Sequence, residues 1–296
     1  MATLAVLTAT PDLPIYRSLE RAGAARGVCI VVLDALRLVA RDTPPELWRN
    51  GEPFATDDIA AVLPRVGNWR PDSVLAVLHV LTARGIPSLN SPDAIRRGRD
   101  HWRTVAALAA AGLPHPATVA GADVEGLGAA AAATVGFPCV VKQRRSRQGI
   151  GVIRCAARDS LEAVLDSLWR VGDEVVVQRF CPPGGISRRV LVLDGEVLGA
   201  TEHRAPAGEF RSNAARGGAV ASVALDAAQH SLAVAAAAVV GLGFAGVDLL
   251  PDGDRWVVGE VNATPGWAHF AAATGCDVGE RLVAALARRG GVDVRP

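Results

Sequence analysis

The sequence predicts an α/β fold in three parts: a small parallel α/β unit over residues 1–90, then two α+β lobes over 91–180 and 181–296. Three observations carry this. Strand-like and helix-like segments alternate through the first ninety residues, the pattern of a parallel sheet with helices on its faces. Asn90-Ser91-Pro92 then interrupts the alternation with a capped helix start, Ser91 as N-cap and Pro92 at the first helical position. Beyond it, apolar runs fold back on themselves about Asp-Gly pairs, the residues of tight hairpin turns.

Taken in order, 4–8, 28–33, 61–66 and 86–89 read as buried strands, with helices over 13–26 and 73–84 between them. The helix opened by Ser91 runs over 93–111 and stops at Gly112, ahead of two prolines. Residues 137–143 and 151–156 read as strands joined by a polar loop, followed by a helix over 160–171 and a strand over 174–180. Pro182-Pro183-Gly184-Gly185 is a strong break. After it, 188–193 and 197–204 form a hairpin about Asp194-Gly195. A helix over 226–240 leads to a second hairpin, 246–250 with 256–262, turned at Asp252-Gly253. The last helix covers 278–288, and no internal repeat is present.

Composition narrows the function classes. Of 31 basic residues in the 296, 30 are arginine and one is lysine, Lys142; against 30 acids the net charge is +1. Such a balance argues against a nucleic-acid partner bound by bulk charge. With half the residues hydrophobic and 21% charged, the chain is neither disordered nor fibrous. The five cysteines are scattered, with no CxxC or Cys/His metal pattern, as expected of reduced thiols in a cytoplasmic protein. The first residues run straight into a strand without a basic leader, so no signal peptide is expected. The longest apolar run, 232–242, is short of the roughly 20 residues a membrane helix needs, so no membrane partner is expected either. An Arg-for-Lys bias of this size reflects a GC-rich genome and makes the surviving lysine the informative residue.

Three constellations carry chemistry. Lys142 ends the apolar run Phe-Pro-Cys-Val-Val-Lys beside Gln-Arg-Arg-Ser-Arg-Gln-Gly-Ile-Gly. An ammonium next to a glycine loop suits phosphate oxygens, although neither a Walker A spacing nor a dinucleotide fingerprint is present. A solvated lysine beside an ordinary loop remains the plain alternative for this motif alone. Second, Glu260 and Asn262 are two apart on one strand and share a face, and the hairpin brings Asp248 opposite Gly259 or Glu260. Two carboxylates and an amide suit Mg²⁺, with Mn²⁺ as an acceptable substitute. Third, the loop Glu209-Phe-Arg-Ser-Asn-Ala-Ala-Arg-Gly-Gly offers Arg211, Asn213 and Arg216 as donors, with Arg189 and Arg204 on the preceding hairpin.

In this order the motifs resemble the ATP-grasp superfamily, and within it the RimK-like group of glutamate and amino-acid ligases; the resemblance covers about 60–290. It implies an ATP-grasp architecture: a leading α/β domain and two lobes sandwiching the nucleotide. It also implies an ATP- and Mg²⁺-dependent ligase that forms an amide or peptide bond through an acyl-phosphate, on amino-acid, small-molecule or peptide substrates. Carried over by position, Lys142 touches the phosphates, and Gln148, Gly149 and Gly151 form the loop that closes on them. Asp248, Glu260 and Asn262 hold Mg²⁺. Arg204, Arg211 and Asn213 lie near the acyl-phosphate, with Arg189 and Arg216 toward the acidic substrate. Val176, Val177 and Phe180 pack around adenine. A homo-oligomer, dimer or tetramer, is expected.

Departures from the family pattern point to specificity. The second phosphate lysine is missing after Arg99-Asp100, so that either His101 or Arg103 substitutes for it or the contact is lost. Arg179 stands where relatives carry a glutamate. The basic run Arg144-Arg145-Ser146-Arg147 suggests a polyanionic or carboxylate-rich substrate or, as readily, genome-driven arginines on a solvated loop. Trp267 with Phe270 suggests an apolar acceptor pocket or simple core packing, the latter more for Phe270 than for Trp267. Alternatives within reach of the sequence are a protein-tail glutamate ligase and a degenerate, nucleotide-binding regulatory domain. A dinucleotide oxidoreductase is disfavoured, since no glycine fingerprint follows the first strand.

Overall fold

The computed structural model describes residues 2–145, 151–172, 174–212 and 218–295. It begins with β1 (Thr3–Thr8), α1 (Tyr16–Arg26) and β2 (Cys29–Asp34), α1 ending at Gly27 in the left-handed conformation. Three short strands follow, β3 (Val39–Arg41), β4 (Glu46–Arg49) and β5 (Glu52–Phe54), then β6 (Ile59–Arg65) and α2 (Pro71–Ala83). Strands β2-β1-β6 form a parallel sheet. Leu4, Val6, Ala61 and Leu63 point to one side of it and Ala5, Leu7 and Val62 to the other, so the strands read as continuous apolar runs. The expected strand at 86–89 shrinks to a single bridge, Val62 with Ser88, because Pro87 has no N–H to continue a ladder. Strands β3-β4-β5 make a separate antiparallel sheet absent from the sequence expectation. Asn50 and Gly51, both at positive φ, turn its second hairpin.

The helix expected over 93–111 is two: α3 (Pro92–Gly98), capped by Ser91, and α4 (His101–Ala110). Asp100 breaks it, its carboxylate accepting from the backbone N–H of Trp102 and Arg103 as N-cap of α4. The chain continues through β7 (Thr118–Ala120), α5 (Val124–Ala130) with a π-turn extension, β8 (Cys139–Gln143), β9 (Val152–Cys155), α6 (Arg158–Arg170) and β10 (Val175–Arg179). Strands β7-β10-β8-β9 form an antiparallel sheet whose core joins Val141 and Val177 to Leu127, Leu161 and Leu165 of α5 and α6.

The last part comprises β11 (Ile186–Leu193), β12 (Glu196–Arg204), β13 (Ala219–Ser222), α7 (Ala227–Val240), β14 (Phe244–Asp252), β15 (Arg255–Asn262), α8 (Ala268–Thr274) and α9 (Val278–Arg289). Its sheet runs β13-β12-β11-β14-β15, antiparallel throughout. Asp194 and Gly195, both at positive φ, make the expected tight turn, while the β14–β15 turn falls at Gly253-Asp254, one residue later than expected. Helix α7 covers one face through Ala233, Ala236 and Val240 against Val190, Val247 and Val258. Helix α9 turns back onto the N-terminal sheet beside α1, in one core with Leu4, Leu19 and Leu63 that also takes in Leu191, Leu193 and Phe244 of the C-terminal sheet. The fit is close: a Cβ on Gly279 would sit 2.9 Å from the Ser18 carbonyl oxygen. Among the described residues no helix is long and apolar enough to cross a membrane.

Candidate active site

The face of the C-terminal sheet away from α7 carries a polar row. Backbone pairing places Ser222 opposite Thr201, Thr201 opposite Arg189, Arg189 opposite Asp248, and Asp248 opposite Glu260. A bulge after Asp248 leaves Gly259 without a partner and settles the register on Glu260. Asn262 follows on the same face, and its Oδ1 accepts from the Thr264 N–H at 2.9 Å. Asp248 accepts Arg189 Nε at 2.7 Å and Nη2 at 2.6 Å, a bidentate pair that leaves each oxygen a further lone pair. The Asp248 carboxylate raises the Arg189 guanidinium above its ordinary value. His203, next to Arg189, is pushed down by burial first and by that cation second.

Opposite this row stands Lys142, across a cleft between the central sheet (β7-β10-β8-β9) and the C-terminal sheet that is also lined by Val140, Gln178, Phe180, Cys181, Arg211, Leu250 and Glu260. Its ammonium donates to Gln178 Oε1 at 2.7 Å, and Gln178 Nε2 in turn donates to Thr118 at 2.9 Å. Burial lowers the Lys142 pKa while the Glu260 and Asp248 charges across the cleft hold it up. Gln178 is 3% exposed, a polar residue that the apolar run Val-Val-Val-Gln did not single out.

Several expectations change. Arg204 lies on the opposite face of the sheet, exposed and paired with Glu202 at 2.6 Å, so it does not reach the polar row. Arg189 is committed to Asp248 rather than open to a substrate. Val177 belongs to the core beneath the central sheet, and neither it nor Val176 lines the cleft; Val140, Phe180, Cys181 and Leu250 give its apolar walls. His101 does line it, but burial, helped by the Lys142 charge, lowers its pKa to about 3, so it cannot replace the positive charge of a second lysine. Arg103 is largely exposed and leans on Asp100 at 3.9 Å.

Trp267 and Phe270 are both 2% exposed and belong to the core, not to an acceptor pocket. Arg144 is no free substrate cation, since it donates to Asp100 at 2.6 Å and pairs with Glu174 at 3.2 Å. Arg179 is bidentate to Asp252, both contacts at 2.9 Å, tying the interlobe strand β10 to β14. Arg211 lines the cleft and pairs with Glu209, whose carboxyl it holds down at about 2. Gly151 is at positive φ, and a Cβ there would meet Gln143 Oε1 at 2.5 Å. Gln148, Gly149, Asn213 and Arg216, with Arg147 of the basic run, lie outside the described residues.

Comparison with known proteins identifies the family. The RimK-like ATP-grasp domain matches residues 98–286, and the RimK PreATP-grasp domain matches 2–95. A probable alpha-L-glutamate ligase of Stutzerimonas stutzeri (strain A1501) is 33% identical over 97% of this chain and 96% of its own. Among solved structures, ATP-grasp ligase PsnB complexed with a phosphomimetic variant of minimal precursor, Mg and ADP superposes with a TM-score of 0.73 at 23% identity, over 98% of this chain and 99% of that one. D-cycloserine synthetase DcsG gives 0.75 at 20% identity, over 98% and 100%. Both share the fold. With two family models spanning nearly its whole length and a full-length relative at one-third identity, the chain belongs to the RimK-like ATP-grasp family.

Proposed function

We propose that the protein is an ATP-dependent carboxylate–amine ligase that joins an amino acid, L-glutamate foremost, to a small-molecule or peptide partner through an acyl-phosphate. The observation that carries this reading is the polar row itself: the cross-strand pair Asp248 and Glu260, with Lys142 facing it from the other sheet. The donor set fits a hard divalent cation, since Asp248, Glu260 and Asn262 offer only oxygen, and the Arg189 bonds leave lone pairs on both Asp248 oxygens. Mg²⁺ held there, or Mn²⁺ in its place, would neutralise charge on the nucleotide phosphates.

Phosphoryl transfer to a carboxylate needs positioning and charge, not a protein nucleophile. Lys142 supplies a point charge already oriented by Gln178, and Arg211 a second cation at the rim of the cleft. The apolar walls at Val140, Phe180 and Leu250 suit a purine and keep water from the activated acyl group. ADP release, followed across a panel of amino acids and acceptors with Mg²⁺, should require two substrates together. Glu260→Gln should abolish it while leaving the unfolding free energy within about 1 kcal/mol of the parent. ATP binding without turnover for any pair would overturn the ligase reading, and a parental rate in the variant would overturn the metal assignment.

A further inference from the structure

A second cationic site lies outside the nucleotide cleft, between the N-terminal sheet and the segment that follows Asn262. Arg65 ends β6, at the carboxyl edge of the parallel sheet, where ligands of open α/β sheets gather. It is 7% exposed. Its Nη1 donates to the Pro265 carbonyl at 2.8 Å, and the guanidinium stacks 4.8 Å from the Trp267 ring centre. Trp267 is itself anchored, its Nε1 donating to Ser18 and its ring edge-on to Phe244. Among the described residues no carboxylate lies within ion-pair distance of Arg65, and its Nε is buried without a hydrogen-bond partner. Burial lowers the guanidinium to about 10, which still leaves it charged at neutral pH. Thr264 Oγ1, in the residue directly before the contacted Pro265, is likewise buried without a partner. Only one other described side-chain atom, on Thr56, shares that condition, so the two orphans at one proline are a local feature.

A buried guanidinium without an anion is unfavourable, and its planar donor edge matches a carboxylate. The contacts to Pro265, Trp267 and the Tyr16 hydroxyl use other N–H groups and the flat face, leaving Nε unspent. We infer that Arg65 and Thr264 form a subsite for a spectator carboxylate of the amino-acid substrate, one that is not converted to acyl-phosphate. This rests on the ligase reading. It explains why the cation contacts the residue directly after the Asn262–Thr264 turn: the reacting amine or acid is held close to the metal ligands by a carboxylate it does not consume.

The test compares L-glutamate with its 1-amide and with L-glutamine, in the parent, Arg65→Lys and Thr264→Val, reading Michaelis constants for amino acid and ATP separately. Arg65→Lys should raise the constant for L-glutamate on the order of tenfold to a hundredfold and leave that for ATP within about twofold. In the parent, one of the two amides should lose a similar factor, and that loss should shrink in Arg65→Lys. An unchanged constant for L-glutamate in Arg65→Lys would overturn the subsite, as would equal amide penalties in parent and variant. If Arg65→Lys does not fold, equal use of all three compounds by the parent overturns it. Absence of turnover in the parent with any pair refutes the ligase reading instead, and calorimetric titration of L-glutamate into parent and Arg65→Lys then tests the subsite by binding alone.

Discussion

Lys142 is held by Gln178 on its own sheet and faced by Glu260 and Asp248 across the cleft, so charge and position are both set before a nucleotide arrives. Arginine cannot reproduce that geometry, because a planar fork needs more room and other directions than a point charge. Lys142→Arg is expected to lower kcat/KM roughly a hundredfold, an effect typical of losing one oriented charge at a developing anion. Steady-state kinetics check it, and a near-parental value would remove Lys142 from the phosphate role. Scarcity of lysine made this residue legible in the sequence. Its partner was not, because a buried glutamine at the end of a valine run looks like a strand terminus. His101 has an acid signature of its own. Its folded pKa of about 3 lies below the ordinary 6.5, so between these values the unfolded chain binds a proton that the folded one refuses. Stability from this group is complete above about pH 6.5 and is lost as pH falls toward 3. In His101→Asn, urea midpoints measured from neutral to acid pH should fall less steeply than in the parent; an identical slope would assign the titration to other groups.

At the scale of elements, register decides what the sequence could not. A two-residue turn at Asp194-Gly195 pairs Leu193 with Glu196, and an unbroken ladder from there would set Ala200 opposite Arg189 and Arg204 on the same face. The bulge between Leu191 and Val192 shifts the pairing by one, so Thr201 and His203 face the site and Arg204 faces away. Turn residues are written locally in the sequence; a bulge is a compromise among neighbouring strands and is not. The missed β3-β4-β5 sheet has the same cause: strands of three or four residues are too short for alternation to register, although Asn50-Gly51 marked the turn. The break between α3 and α4 concerns function more directly. Asp100, 2% exposed, caps α4 and accepts Arg144 from the end of β8, fixing the root of the loop that follows Lys142. Asp100→Ala removes a cap and leaves Arg144 half paired, at a cost of roughly 2–4 kcal/mol. Urea unfolding measures it, and a loss under about 0.5 kcal/mol would mean the pair is no more than a surface contact.

Across the whole molecule, the ordered motifs were legible because each is short and local, whereas the joints between parts depend on residues far apart in the chain. Asn90 is the clearest joint. Its Nδ2 donates to the carbonyls of Phe244 and Ala263 at 2.8 and 3.1 Å, and its Oδ1 accepts from the Phe244 N–H at 2.9 Å. In sequence it looked like the residue before a helix cap; in the fold it fastens the N-terminal unit to β14 and to the residue after Asn262. Asn90→Ala leaves three buried backbone groups unpaired and should cost about 3 kcal/mol. Chemical denaturation checks this, with a change below about 1 kcal/mol arguing that water takes over the bonds. The proposed Arg65 subsite depends on this joint, since Arg65 comes from one side of it and Pro265 from the other.

Helix α9 closes the N-terminal sheet from the far end of the sequence, with Gly279 and Gly290 pressed against Ser18 and Ala60. During synthesis the sheet therefore precedes its cover, which follows only after the central and C-terminal sheets of this chain have been made. A sheet made well before its cover cannot mature alone, so the domain-by-domain order usual for a growing chain does not apply to this unit.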